Sequence, residues 1–193
     1  MKKFIWIICF LTIFNGWANI GRRGFSSFSN HYFVETGTLR GDALAIALRQ
    51  NFKDLRSIEY DPNYYEMAKE RFLKRKNVKI WQGDSRIILW EMIQDINGNI
   101  TFWLDAHAFP PSEGISNCPL LEELEQIKRH PIKTHTILID DMNCSSTASF
   151  DFITKEEIIQ KILEINPTYQ IQFIAGGDED EVPNNILVAK PQR

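Results

Sequence analysis

The sequence predicts a doubly wound α/β domain, with a mostly parallel seven-stranded sheet, helices on both faces and an antiparallel hairpin at the C-terminal end. Three observations carry this prediction. Short apolar runs alternate repeatedly with stretches of helical periodicity. Helices of that length between strands require crossover connections, and so parallel pairing. The last two strand candidates are separated only by a short acidic loop, which makes them an antiparallel pair.

The elements follow in order. His31–Thr36 is the first strand, and Gly41–Asn51 is a helix with Leu44, Ala47 and Leu48 on one face. Leu55–Tyr60 is the second strand. Asp61-Pro62 then opens a helix, with Asp as cap and Pro in the first turn, and Tyr65, Ala68 and Phe72 form its apolar stripe. Val78–Gln82 is the third strand, followed by a helix from Ser85 to about Asp95. Ile100–Leu104, almost continuously apolar, is the fourth strand. After a loop at Phe109–Asn117, the helix Pro119–Arg129 turns Leu120, Leu121, Leu124 and Ile127 inward, and Thr136–Ile139 is the fifth strand. Thr154 caps a helix through Ile165 that buries Ile158, Ile159, Ile162 and Leu163. Tyr169–Ala175 and Asn185–Ala189 form the hairpin around an acidic loop, Asp178 to Glu181, read as solvated.

A chain of 193 residues suits one such domain. The net charge of −3, with no basic run beyond Lys74-Arg75-Lys76 at a helix end, gives nucleic-acid binding no electrostatic support and favours a small-molecule substrate. Residues 1–18 differ in kind. Lys2 and Lys3 precede an apolar run from Phe4 to Phe14, and Gly16-Trp17-Ala18 offers small residues for cleavage. This resembles a secretory signal peptide and is too short for a comfortable membrane span. A mis-assigned start and a buried N-terminal helix stay open. Export or membrane association, the latter only through an uncleaved leader, is thus expected alongside a domain at 31–193 and a loop or arm at 19–30. Cys9 lies in the leader, and Cys118 and Cys144 read as buried thiols with no zinc spacing. Trp81, Trp90 and Trp103 read as core, and His31, His130 and His135 as structural.

Chemistry is expected at the strand ends, because ligands of open α/β sheets bind beyond the carboxyl ends of the strands where the strand order reverses. The first strand ends in Glu35-Thr36-Gly37-Thr38-Leu39-Arg40-Gly41, where Gly37 permits a tight turn and Gly41 close approach of the backbone to a ligand. The second ends in Glu59-Tyr60-Asp61. A carboxylate about twenty residues after a glycine turn suits the two hydroxyls of a ribose, and Glu59 is better placed for this than the capping Asp61. The third ends in Gly83-Asp84-Ser85, where Asp84 is either an acceptor for an adenine amine or a helix cap.

VETGTLRG, SIEYDP and WQGDS, in that order and spacing, resemble the first three motifs of the class I S-adenosylmethionine-dependent methyltransferases, which have a Rossmann-like fold. The resemblance implies that Glu35 and Gly37 line the methionine part of the cofactor, Glu59 its ribose and Asp84 its adenine, with Thr36, Gly41, Tyr60 and Ser85 also binding it. Asp105 would also border this pocket.

The fourth and fifth strands end in Leu104-Asp105-Ala106-His107 and Ile139-Asp140-Asp141-Met142. Carboxylates converging from neighbouring strand ends raise each other's pKa or recruit a cation, Mg²⁺ above all. Caps in a solvated loop are the plainer alternative. The pattern is similar to that of the metal-dependent O-methyltransferases of the catechol and macrocin kinds, and it also resembles little-characterised methyltransferase-like proteins with W-L-D-x-H and I-D-D segments. That similarity implies Asp105, Asp140 and Asp141 as metal ligands. His107 would be the general base beside Asp105, in place of the lysine that the catechol enzymes usually carry. The expectation is methyl transfer to a hydroxyl of a small molecule. Its rivals are an inactive binding module of the same fold, favoured by the leader because the cofactor is cytosolic, and another enzyme class on the same scaffold.

Overall fold

The structure is a computed structural model that describes residues 20–21, 24–107, 118–177 and 182–192. The leader, the loop at Phe109–Asn117 and the acidic stretch Asp178 to Glu181 lie outside the described residues. Seven strands form one sheet: β1 (Tyr32–Thr36), β2 (Asp54–Glu59), β3 (Val78–Gln82), β4 (Ile100–Leu104), β5 (Thr136–Ile139), β6 (Tyr169–Gly176) and β7 (Val182–Pro191). Their order is β3-β2-β1-β4-β5-β7-β6. The first five pair in parallel, and β7 runs antiparallel to both β5 and β6. The strand order reverses between β1 and β4, which places the crevice there.

The helices are α1 (Asp42–Leu48), α2 (Pro62–Arg71), α3 (Ser85–Ile93), α4 (Leu120–Arg129) and α5 (Lys155–Ile165). Local signals start them as expected. Asp61 accepts from the N–H groups of Asn63 and Tyr64, with Pro62 at the first position, and Thr154 with Glu157 closes a capping box on α5. One apolar cluster joins α3, α4 and α5 to one face of the sheet through Leu89, Leu124, Ile127, Ile158 and Ile162. A second covers the other face with α1, Phe72 and the segment before β1. Among the described residues, no helix is long and apolar enough to cross a membrane.

Several elements differ from expectation. β7 runs Val182–Pro191 rather than Asn185–Ala189, and α5 buries Ile158, Ile162 and Ile165 while Ile159 and Leu163 are half-buried. α1 is shorter than Gly41–Asn51: Gly41, at φ +77°, is its left-handed N-cap, and beyond Leu48 the chain tightens into the bonds Arg49 N–H to Ile46 carbonyl (3.2 Å) and Gln50 N–H to Ala47 carbonyl (2.9 Å). On α4 the inward stripe is Leu120, Glu123, Leu124 and Ile127, with Gln126 beside it, and Leu121 lies off that stripe, half-buried. The period of 3.6 selects i, i+3, i+4 and i+7 whatever their polarity. The stretch read as a loop or arm turns through Ser26–Phe28 and buries Ile20, Phe25 and Phe28. Phe25 is fully enclosed against Phe33 and Trp103, with ring centroids 4.8 and 5.3 Å away.

Candidate active site

Parallel pairing lines up the strand tips. Asp105 N–H donates to the Thr36 carbonyl (3.1 Å), Asp140 N–H to the Leu104 carbonyl (3.1 Å) and Gly83 N–H to the Glu59 carbonyl (2.8 Å). Gly83, Glu59, Gly37, Asp105 and Asp140 therefore stand along one edge of the sheet, on both sides of the switch point. At its centre Gly37 has φ +82°, and a Cβ there would lie 2.3 Å from the Asp105 carbonyl oxygen.

On the β1–β2 side, Glu59 Oε2 accepts from Leu39 N–H (2.6 Å) and Oε1 from Asp61 N–H (2.8 Å). These bonds hold Leu39 at φ +46°, a conformation uncommon for a branched side chain. Burial raises the pKa of this carboxyl, and backbone N–H donors, Asp61 and Leu39 first and then Tyr60, oppose the rise. A carboxylate has about four lone-pair sites, so acceptor capacity remains for a ribose hydroxyl. Tyr60 is exposed, and its carbonyl accepts from Gln82 Nε2. Asp84 caps α3 through Arg86 N–H (2.9 Å) and pairs with the Arg86 guanidinium (2.9 Å). Ser85 is buried. Over Gly41 lies the ring of Phe72, whose Cε2 would be 2.5 Å from an added Cβ, so packing already requires glycine there.

Beneath the tips two carboxyls are fully buried, one facing each side. Glu35 Oε2 accepts from Ser57 Oγ (2.5 Å), Oε1 has no hydrogen-bond partner among the described residues, and burial pushes the group up to about 8. Glu123 sits opposite with Ser85 and Thr36 as polar neighbours, and burial pushes it up to about 7. Thr36 Oγ1 likewise makes no hydrogen bond among the described residues.

Across the switch point one ligand atom each of Asp105, His107 and Asp141 lies within 4.8 Å of the others. Asp105 is held well above the usual carboxylate range by burial and then by the charges of Asp140, Asp141 and Glu35. His107 Nε2 bonds the Asp140 carbonyl (3.0 Å), its ring packs on Phe150 (4.4 Å between centroids), and burial lowers its pKa. Asp140 is fully buried, and its Oδ1 accepts from Asp141 N–H (2.8 Å) and Asn185 Nδ2 (3.1 Å). The cluster that could hold a cation thus pairs Asp105 and Asp141 with His107, and Asp140 positions its neighbour. Asn185, Glu123 and Phe150 were not anticipated. Glu123 had a readable signal, a charged residue on the apolar stripe of α4. The other two reach the site only through tertiary contacts.

This fold, with its strand order, matches that of S-adenosylmethionine-dependent methyltransferases of known structure, the Rossmann-like class I fold. The solved structures it resembles include the O-methyltransferase TomG of Streptomyces achromogenes, in complex with S-adenosylmethionine. Its TM-score is 0.59 at 12% identity, over 87% of this chain and 76% of that one. A TehB-like S-adenosylmethionine-dependent methyltransferase of Corynebacterium glutamicum gives 0.58 at 12% identity, over 93% and 89%. The S-adenosylhomocysteine-bound methyltransferase PaMTH1 of Podospora anserina gives 0.56 at 11% identity, over 84% and 72%. No family model and no curated protein sequence matches the chain.

Proposed function

We propose that the protein transfers a methyl group from S-adenosylmethionine to a hydroxyl of a small molecule, assisted by a divalent ion. The observation that carries this reading is the row of carboxylates at consecutive strand tips around a switch point closed by Gly37 and Asp105. The cofactor would supply an activated methyl on sulfur, whose S–C bond breaks as the O–C bond forms while the hydroxyl proton leaves. A divalent ion between Asp105 and Asp141 would supply the positive charge that acidifies the substrate hydroxyl.

The chain's own residues bind and orient. Glu59 offers its remaining acceptor capacity to the ribose, already fixed in direction by Leu39 and Asp61. Asp84, steered by Arg86, presents an acceptor for the adenine amine. Glu35, pushed up to about 8, is largely protonated at neutral pH and Glu123, at about 7, is about half so, which lowers the negative charge beneath the pocket. Such positioning is the main source of rate in a displacement of this kind. His107 has one free lone pair, and either taking a proton or binding the ion would use it.

Calorimetric titration of the purified full chain with S-adenosylmethionine tests the reading. Saturable binding is expected, weakened by at least about 10-fold in Glu59→Ala, the loss of hydrogen bonds to a charged group. No heat of binding at millimolar cofactor would end it.

A further inference from the structure

The histidine of the cation cluster carries more information than its carboxylates. A carbonyl oxygen cannot donate, so the 3.0 Å contact with the Asp140 carbonyl places the proton on Nε2. The ring lone pair is then on Nδ1. That atom is buried in a residue only 4% exposed and has no hydrogen-bond partner among the described residues. A buried acceptor left without a donor costs about 1–3 kcal/mol, so the arrangement calls for an occupant. The ring is also held in place by the tilted ring of Phe150, 4.4 Å away between centroids, and by the carbonyl at Nε2. Ligating histidines commonly show this support, giving the second N–H to a backbone carbonyl that fixes tautomer and direction.

The spacing fits an ion. Donor atoms around a divalent ion with bonds of about 2.1 Å stand about 3 Å apart when adjacent and about 4 Å when opposed. One carboxylate oxygen each of Asp105 and Asp141 and one ring nitrogen of His107 lie within 4.8 Å of one another, and both carboxylates are half-buried, within reach of solvent. Two carboxylates and a neutral imidazole cancel the charge of a divalent ion. That relieves the crowding of Asp105 by Asp140, Asp141 and Glu35.

We infer that His107 is the third protein ligand of this ion, through Nδ1, and that the centre therefore selects a transition-metal ion over magnesium. Magnesium takes oxygen donors almost exclusively, whereas manganese, iron and zinc accept an imidazole nitrogen. The expected Mg²⁺ and the expected general base at His107 both give way on this point. The inference rests on reading the cleft as a metal-assisted site, but its test needs no methyl donor.

Mn²⁺ alone, titrated into the full chain, is expected to bind at least about 10-fold more tightly than Mg²⁺. Electron spin-echo modulation of the Mn²⁺-loaded wild type should show the ¹⁴N coupling of a bound imidazole. In His107→Gln that coupling should vanish, with a loss of about 10–100-fold in Mn²⁺ affinity. Asp141→Asn should lose affinity yet keep the nitrogen signal. Because the wild-type spectrum needs no substitution, a folding defect in either variant does not blunt the test. Tight Mn²⁺ without nitrogen coupling, equal affinity for the two ions, or no Mn²⁺ binding at millimolar concentration would each overturn the inference. A sample that shows nitrogen coupling but binds no S-adenosylmethionine supports the ligand set while removing the methyl-transfer reading.

Discussion

At Gly37 a single hydrogen atom decides how closely two halves of the sheet approach. The carbonyl that a methyl group would strike belongs to Asp105, which is backbone and cannot rotate away as a side chain would. The positive φ adds about 1 kcal/mol or more for any L-residue. Gly37→Ala is therefore expected to lower stability by about 2 kcal/mol or more in a urea titration and to weaken S-adenosylmethionine binding in the same protein. An unchanged unfolding midpoint would show that the tips are not in contact. Individual residues were legible where one atom type has one job. Asp61 and Thr154 cap because they precede helices, and the Glu59 carboxylate gathers the N–H groups of Leu39 and Asp61 because it ends a strand. Asp140 and Asp141 could not be told apart, since adjacent strand-end residues face opposite ways. Asn185, forty-four residues or more downstream, reaches both (3.1 Å to Asp140, 3.4 Å to Asp141), and it is the full burial of Asp140 and its bond from Asp141 N–H that show which is locked in place.

The helix α3 shows the same limit at the next scale. Its first turn carries Asp84 and Ser85, and its position is set from α4 by Gln126. The Gln126 amide nitrogen donates to the carbonyls of Ser85 (2.9 Å) and Arg86 (2.8 Å), and its oxygen accepts from Trp90 N–H (2.6 Å). A polar residue on an apolar stripe looks like an error until its partners are known, and those partners are backbone atoms that no side-chain pattern reveals. Gln126→Leu gives up the bridge without introducing a charge and is expected to cost about 1–3 kcal/mol. Gln126→Glu keeps the shape but turns a carboxylate oxygen toward two carbonyls in a buried setting, and should cost more than the leucine. Thermal melts of the three proteins at pH 7 check the order wild type, Leu, Glu. A glutamate variant as stable as wild type would mean that the bridge does not hold α3.

For the molecule as a whole, strand order and the terminal hairpin were legible, because periodicity and connection length constrain topology tightly. The packed segment before β1 was not, since Phe25 and Phe28 sit among Gly, Ser and Arg with no regular period, and their burial depends on a sheet face built by distant residues. The far end of the sheet, opposite the cleft, holds a chain of hydrogen bonds of similar reach. Ile100 N–H donates to His135 Nδ1 (3.1 Å), so His135 gives its Nε2 proton to His130 Nδ1 (3.0 Å) and His130 Nε2 donates to the Ile96 carbonyl (3.1 Å). Tyr169 closes the group by donating its hydroxyl to the His135 carbonyl (2.9 Å). Every ring nitrogen is used, so these histidines tie β4, β6 and the ends of α3 and α4 together and have nothing left for a ligand. Burial, and then the neighbouring His130 and Lys133, holds His135 down at about 3, against 6.5 for a free imidazole. The unfolded chain therefore binds a proton at His135 between about pH 6.5 and 3 that the folded chain refuses, and stability falls as pH falls through that window. The slope from this residue is at most about 1.4 kcal/mol per pH unit, fully in the protein's favour above 6.5. Urea midpoints between pH 7 and 4 should decline more steeply for wild type than for His135→Phe, which is less stable at pH 7 but has no proton to gain there. Other acid-sensitive groups are common to both proteins, so the difference in slope isolates His135, and parallel lines would refute the role given to it.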